Sequence, residues 1–260
     1  MPAVKIKRIR INYQAKGEGE PLVIINGFTG NIRDWLLQTP AFKKRFRVIT
    51  FDNRGSGKSD KPEGPYSAKM MAQDTVALMD ELGVKKAHIL GFSMGAAIAQ
   101  EIAINFPERV NKLILLGAWS NNNDADSGLT PELMQATQLT PQRIPGAAMS
   151  LAINSALYRL IFLPLKSMMN RRMGAAAYPG TLGQRDALLT HNTADRLKLI
   201  KAPTLVITGT KDRCVRPASS EPLARQIPGA KLVKIENGSH AVFLEMSRRF
   251  NKEIMSFLSA

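Results

Sequence analysis

Short, continuous apolar runs, most of them followed by a helical pattern, constrain this chain more than any other feature. "PLVIING" (21–27), "FRVITFD" (46–52), "KKAHIL" (85–90), "VNKLILLGA" (110–118) and "APTLVITGT" (202–210) lack the polar alternation of a half-exposed strand. Such runs belong to strands covered on both faces. Helical signals lie between them. Ser67 is placed to cap a helix carrying Met71, Val76, Met79 and Leu82, closed by Gly83. "MGAAIAQEIAINF" (94–106) is a second helix, ended by Pro107. This alternation predicts an α/β fold with a mostly parallel central sheet flanked by helices. Ahead of it, Ile9, Ile11 and Tyr13 alternate with polar residues, and Gly17 and Gly19 supply a turn, which predicts a hairpin leading into Leu22–Ile25. After the last buried run come a short helix near Pro217–Gln226, a strand in "KLVKIEN" (231–237), and a helix with Phe243, Phe250, Ile254 and Phe257 on one side.

The alternation breaks at residue 120. Between the polar loop "SNNNDADSG" and residue 202 the sequence has helical patterns at 131–139, 144–161 and 181–193 but no buried strand. The expected organisation is a core of 1–120 and 197–260 with a helical cap, 121–196, inserted before the strand at 202–210. The apolar, methionine-rich stretch "LYRLIFLPLKSMMNRRM" (157–173) suits both packing on the core and lining a pocket, because methionine fills irregular space.

Composition limits the function classes. A net charge of +15 raises the question of nucleic acid, but the excess is spread: +7 in 1–120, +2 in 121–196 and +6 in 197–260. A solvated basic surface is expected, not a nucleic-acid site. No run of eighteen apolar residues occurs, so no membrane span is expected. The basic start "MPAVKIKRIRINYQ" lacks the apolar core of a signal peptide. The single cysteine, Cys214, excludes an intrachain disulfide and suits a cytoplasmic location; it reads as a buried, inert thiol.

Chemistry concentrates at "GFSMG" (91–95), a Gly-x-Ser-x-Gly motif between a strand and a helix. A sharp strand-to-helix turn forces the serine into unfavourable backbone geometry, and glycines at 91 and 95 make room for it. Ser93 thus reads as an exposed nucleophile, which requires a base and an orienting acid. Of three histidines, His88 lies within a strand and reads as a hydrogen-bonded core residue, and His191 ends a helical segment and reads as exposed. His240, in the loop "ENGSHAVFLE", is placed to reach the carboxyl edge of the sheet. Asp212 in "TGTKDRCV" follows the strand at 202–210, giving the chain order Ser–Asp–His. The backbone amides of Met94 and of Phe28, in "IINGFTGN", are the expected oxyanion donors. Candidate substrate-binding positions are Phe28, Trp119, Leu160, Phe162, Met168 and Val242. No metal or organic cofactor is implied. "NRGSGKS" ends like a phosphate-binding loop, but the position of its first glycine is Asp52.

Taken together, "INGFTGN", "FDNRGSGKSD", "GFSMG", "TGTKDRCV" and "NGSHAVFLE" resemble the α/β-hydrolase superfamily from about residue 4 to 258. The similarity is greatest to its small lidded branch, with 3-oxoadipate enol-lactonases, cofactor-free haloperoxidase-like esterases and carbon–carbon bond hydrolases. It implies the α/β-hydrolase fold, Ser93, Asp212 and His240 as the triad, and structural roles for Asp52, Arg54 and Gly55. Serine at 93 argues against the dehalogenases and epoxide hydrolases of this fold, which use aspartate there. One departure is Asn26, where the family commonly has histidine. The function implied is hydrolysis of small, largely apolar esters or lactones through an acyl-serine. A carbon–carbon hydrolase, thioesterase, perhydrolase or small-molecule receptor stays open, as does a homo-oligomer.

Overall fold

The computed structural model describes residues 2–122, 128–160 and 178–260. Eight strands form one sheet: β1 (Ala3–Ile6), β2 (Ile9–Lys16), β3 (Glu20–Ile25), β4 (Phe46–Phe51), β5 (Ala87–Phe92), β6 (Val110–Leu116), β7 (Thr204–Gly209) and β8 (Lys231–Ile235). Their order is β1-β2-β4-β3-β5-β6-β7-β8, antiparallel where β2 pairs with β1 and β4 and parallel from β4 to β8. The apolar runs explain the layering residue by residue. Val23, Ile25, Ile89, Leu113, Leu115 and Val206 face one core, while Leu22, Ile24, Leu90, Ile114, Leu116, Leu205 and Ile207 face the other. A strand turns successive side chains to opposite faces, so a continuous apolar run feeds both cores.

The helices close those faces. The first, α1, is the single turn Thr39–Phe42; α2 (Ala68–Glu81) begins at Ser67, whose hydroxyl accepts the Met70 amide at 3.1 Å, and Gly83 follows it at φ 67°. α3 (Met94–Asn105) is buried along most of its length, and its alanines let it lie close to the sheet. Between β6 and β7 come α4 (Pro131–Thr137), α5 (Ile144–Ala152) and α6 (Tyr178–Leu189); after β7 come α7 (Ser220–Gln226), α8 (Val242–Glu245) and α9 (Ser247–Ser259). Among the described residues no helix is long and apolar enough to cross a membrane.

Several expectations shift. The strands flanking Gly17 and Gly19 are not hairpin partners, because β4 lies between β2 and β3. The helix expected over 144–161 is interrupted after Ala152, where Ile153 is extended and the Asn154 and Ser155 amides donate to Glu245 at 3.3 and 2.5 Å, and the chain is helical again over 156–160. The pattern at 181–193 is helical from Tyr178 to Leu189, and that at 131–139 ends at Thr137. The C-terminal helix is broken at Met246, which separates Phe243 on α8 from Phe250 on α9.

The chain leaves β3 toward β4 on one side and returns through β5 on the other. Loops after β3 and β5 therefore diverge at the carboxyl edge, where open α/β sheets form crevices. Gly95 fixes this junction. A Cβ there would overlap the carbonyl oxygens of Ile25 and Asn26, which are backbone and cannot step aside. Gly95→Val is expected to destabilise the protein by about 3 kcal/mol or more, read as a lower urea midpoint; an unchanged midpoint would show that the junction is loose.

Candidate active site

Ser93 sits between β5 and α3 at φ 55° and ψ −120°. Few non-glycine residues occupy such geometry, and it costs about 1–3 kcal/mol. A serine at a helix N-cap normally bonds to the first-turn amides, but the Ser93 hydroxyl makes no cap bond and the residue lines a cavity instead. Its own amide donates to the Leu116 carbonyl at 2.8 Å, which ties the turn to β6. A Cβ on Gly91 would overlap the Gly95 backbone. Both glycines therefore do what the motif requires of them.

Asp212 and His240 arrive from the loops after β7 and β8. One carboxylate oxygen of Asp212, Oδ1, accepts the amides of Cys214 and Val215 at 2.7 and 2.9 Å. The other, Oδ2, lies 2.6 Å from His240 Nδ1, with both side chains buried. A carboxylate only accepts, so the proton of this bond sits on Nδ1, and in a neutral imidazole Nε2 is then the accepting nitrogen. Phe92 packs against the imidazole at 4.8 Å between ring centroids. Gly117, at φ 57°, clears the other approach: a Cβ there would stand 2.9 Å from His240 Cε1. Ser93 and His240 line the same cavity. The sequence showed no role for Gly117 beyond an isolated glycine at a strand end.

Phe28 lines this cavity, in a turn closed by the Gly30 amide on the Gly27 carbonyl at 3.0 Å. The Met94 side chain is buried in the core, and its amide is the first of α3, a position with no acceptor inside the helix. Asn26 braces the loop: its Nδ2 donates to the Phe51 carbonyl at 2.5 Å, and its Oδ1 accepts from Trp35 Nε1 at 2.7 Å. The departure from histidine thus leaves the loop tied on both sides. Asp52 accepts Asn12 Nδ2 and the amides of Ile32 and Lys58 at 2.8–2.9 Å, while Arg54 donates through Nε and Nη2 to the two Asp74 carboxylate oxygens.

The other expected lining residues fare differently. Trp119 is fully buried, edge-on to His191 at 5.4 Å between centroids, away from the cavity wall. Leu160 is 74% exposed and does not line it. Val242 is fully buried and packs toward Gly238, so Ala241, Phe243 and Leu244 take the wall in its place. Phe162 and Met168 lie outside the described residues. Leu133, Ala148, Met149, Ala152 and Leu188 line the cavity from the segment between β6 and β7. Asp34 adds a carboxylate, and no lysine or arginine occurs among the described lining residues.

Cys214 also lines the cavity, but burial, reinforced by Asp212, pushes its thiol well above the ordinary range, so it stays protonated. Asp212, Cys214 and His240 offer three ligand atoms within 4.8 Å of one another. They do not fit a resident cation: both Asp212 oxygens are engaged and the thiol holds its proton.

His88 is a core residue as expected, bonded through Nε2 to Glu20 at 2.8 Å. His191, expected to be exposed, is buried against Trp119 and Thr193 behind α3. Burial pulls its pKa down from 6.5 to about 4, against the pull of nearby Glu101. Burial alone would raise Glu101, but Arg196, bound at 2.6 and 3.0 Å, holds it below the usual range. The unfolded chain binds a proton on His191 near pH 6.5 that the folded chain refuses until about pH 4, so stability falls as the pH drops through that window. The expected loss is about 3 kcal/mol by pH 4. His191→Gln should flatten the fall of the urea midpoint between pH 7 and 4, leaving what paired carboxylates such as Glu101 contribute; an identical slope would refute this.

Residues 20–246 match the family described by its alpha/beta hydrolase fold. The chain belongs to the α/β-hydrolase fold family. Its relatives carry carbamate hydrolase, enol-lactonase and non-heme bromoperoxidase names. RutD of Caulobacter segnis, provisionally named a carbamate hydrolase, is 28% identical over 250 residues, covering 92% of this chain and 91% of RutD. 3-Oxoadipate enol-lactonase 2 of Acinetobacter baylyi is 27% identical over 256 residues, covering 95% and 92%. The crystal structure of the enol-lactonase from Burkholderia xenovorans superposes with a TM-score of 0.86 at 25% identity over the whole of both chains.

Proposed function

We propose that this α/β hydrolase cleaves carboxylic esters or lactones with small, largely apolar acyl parts through an acyl-Ser93 intermediate. The observation that carries this reading is the buried Asp212–His240 bond at a cavity that both His240 and Ser93 line. His240 takes the Ser93 proton as the hydroxyl attacks the carbonyl carbon, and Asp212 balances the imidazolium. The developing oxyanion is met by the Phe28 and Met94 amides. His240 returns the proton to the leaving alkoxide, and the same steps with water release the acid and regenerate Ser93. In this reading residues 121–196 are a cap on a core of 1–120 and 197–260. The single cysteine suits a cytoplasmic enzyme.

The apolar wall with the Asp34 carboxylate favours uncharged substrates. A carboxylate on the acyl part would meet the half-buried Asp34 carboxylate, a penalty of about 1 kcal/mol or more. Butyrate esters of p-nitrophenol are therefore expected to exceed the matching half-esters of a dicarboxylic acid by about tenfold or more in kcat/KM. Equal or reversed values would overturn the assignment of an uncharged, apolar substrate.

A further inference from the structure

The α6 helix comes from the segment read as a cap, yet its contacts are those of a fixed wall. A Cβ on Gly180 would stand 2.6 Å from Gly55 Cα, and one on Gly183 would stand 2.7 Å from the Tyr66 ring. These glycines let the helix backbone lie directly on the loop after β4. Beside them Gln184 is fully buried. Its Oε1 accepts the Thr29 amide at 2.9 Å, and its Nε2 donates to the Arg54 carbonyl at 2.7 Å.

Thr29 is an unusual residue for its place. It is third in the turn Gly27–Gly30, at φ 56°. Turns with a positive angle there favour glycine or asparagine, and a β-branched side chain resists it. The Thr29 hydroxyl is buried with no hydrogen-bond partner among the described residues, so its side chain does not stabilise the turn through a bond of its own. Besides the Asn26 bonds just before the turn, the Gln184 bond to the Thr29 amide holds it from outside. That bond fixes the peptide linking Phe28 to Thr29, while the Gly30–Gly27 bond closes the turn around it.

We propose that Gln184 is a positioning residue that holds the Phe28–Thr29 peptide, and through it the Phe28 amide, in place for the oxyanion. The inference rests on the serine-hydrolase reading given above. A main-chain donor serves only when it is held where charge develops, and a displacement of about 1 Å costs on the order of 100-fold in rate. Gln184 touches no reacting atom, so its loss should lower kcat and leave KM nearly unchanged.

The test compares wild type, Gln184→Met and Gln184→Glu for p-nitrophenyl butyrate hydrolysis, labelling of Ser93 by a fluorophosphonate, and melting temperature. Methionine fills the space without the bonds, and glutamate keeps an acceptor for the Thr29 amide while its other oxygen, when protonated, still donates to the Arg54 carbonyl. Gln184→Met is expected to lose roughly 10- to 100-fold in kcat and in labelling rate with KM within about threefold. Gln184→Glu should lose less than about fivefold. A folded Gln184→Met with wild-type kcat, or a change confined to KM, would overturn the proposal. Should Gln184→Met fail to fold, hydrogen exchange at the wild-type Thr29 amide decides: slow exchange supports the bond, and exchange at the rate of an open amide overturns it. A wild type that neither turns over nor labels overturns the serine-hydrolase reading itself, an outcome distinct from an active wild type matched by its variants.

Discussion

Ser93→Ala is expected to lower kcat for ester hydrolysis about 10⁵- to 10⁶-fold while the fold survives. The reason is chemical: without the hydroxyl there is no acyl-enzyme, and what remains comes from binding and the oxyanion amides alone. The fold survives because alanine keeps a Cβ in the same place and the hydroxyl makes no bond that caps α3. Ser93→Gly extends the argument. Glycine adopts φ 55° readily, so this variant should be as inactive as Ser93→Ala yet more stable by about 1 kcal/mol. Matched kinetics and urea titrations of the three proteins check both halves. Activity within tenfold of wild type in either variant would remove Ser93 from the chemistry.

Asp212→Asn is expected to cost about 10⁴-fold in kcat with little change in stability. The asparagine carbonyl can still accept the Cys214 and Val215 amides, which preserves the turn after β7. Its amide group must then face His240 Nδ1 and donate to it. That forces the imidazole into the tautomer protonated at Nε2, which cannot accept the serine proton. The charge that balanced the imidazolium is lost as well. A loss below tenfold would mean that another group orients His240.

The sheet was legible in the sequence because its strands are covered on both faces, so Leu22–Ile25 or Leu113–Leu116 read as unbroken apolar runs. The Ser93 turn was legible for a similar local reason, since its two glycines are required by backbone contacts within a few residues or at the adjacent strand. Asp212 and His240 followed from their places after strands. The cavity wall was much less legible. Trp119 and Val242 are apolar residues near the site in sequence, but packing turns both into the core, and Leu160 faces solvent. Which apolar side chain reaches a cavity depends on how distant segments meet. His191 reads as exposed from its place at a helix end, and only the packing behind α3 buries it. Nothing around Gln184 in "TLGQRD" announces a contact with Thr29, 155 residues away in the chain.

The central claim, that Ser93 is the nucleophile of a working serine hydrolase, is tested most directly by fluorophosphonate inactivation followed by peptide mapping. The account predicts one adduct per chain, on Ser93, with ester hydrolysis lost in proportion to labelling and no adduct in Ser93→Ala. An enzyme that hydrolyses esters while Ser93 stays unlabelled, or that is labelled elsewhere as activity falls, would contradict it.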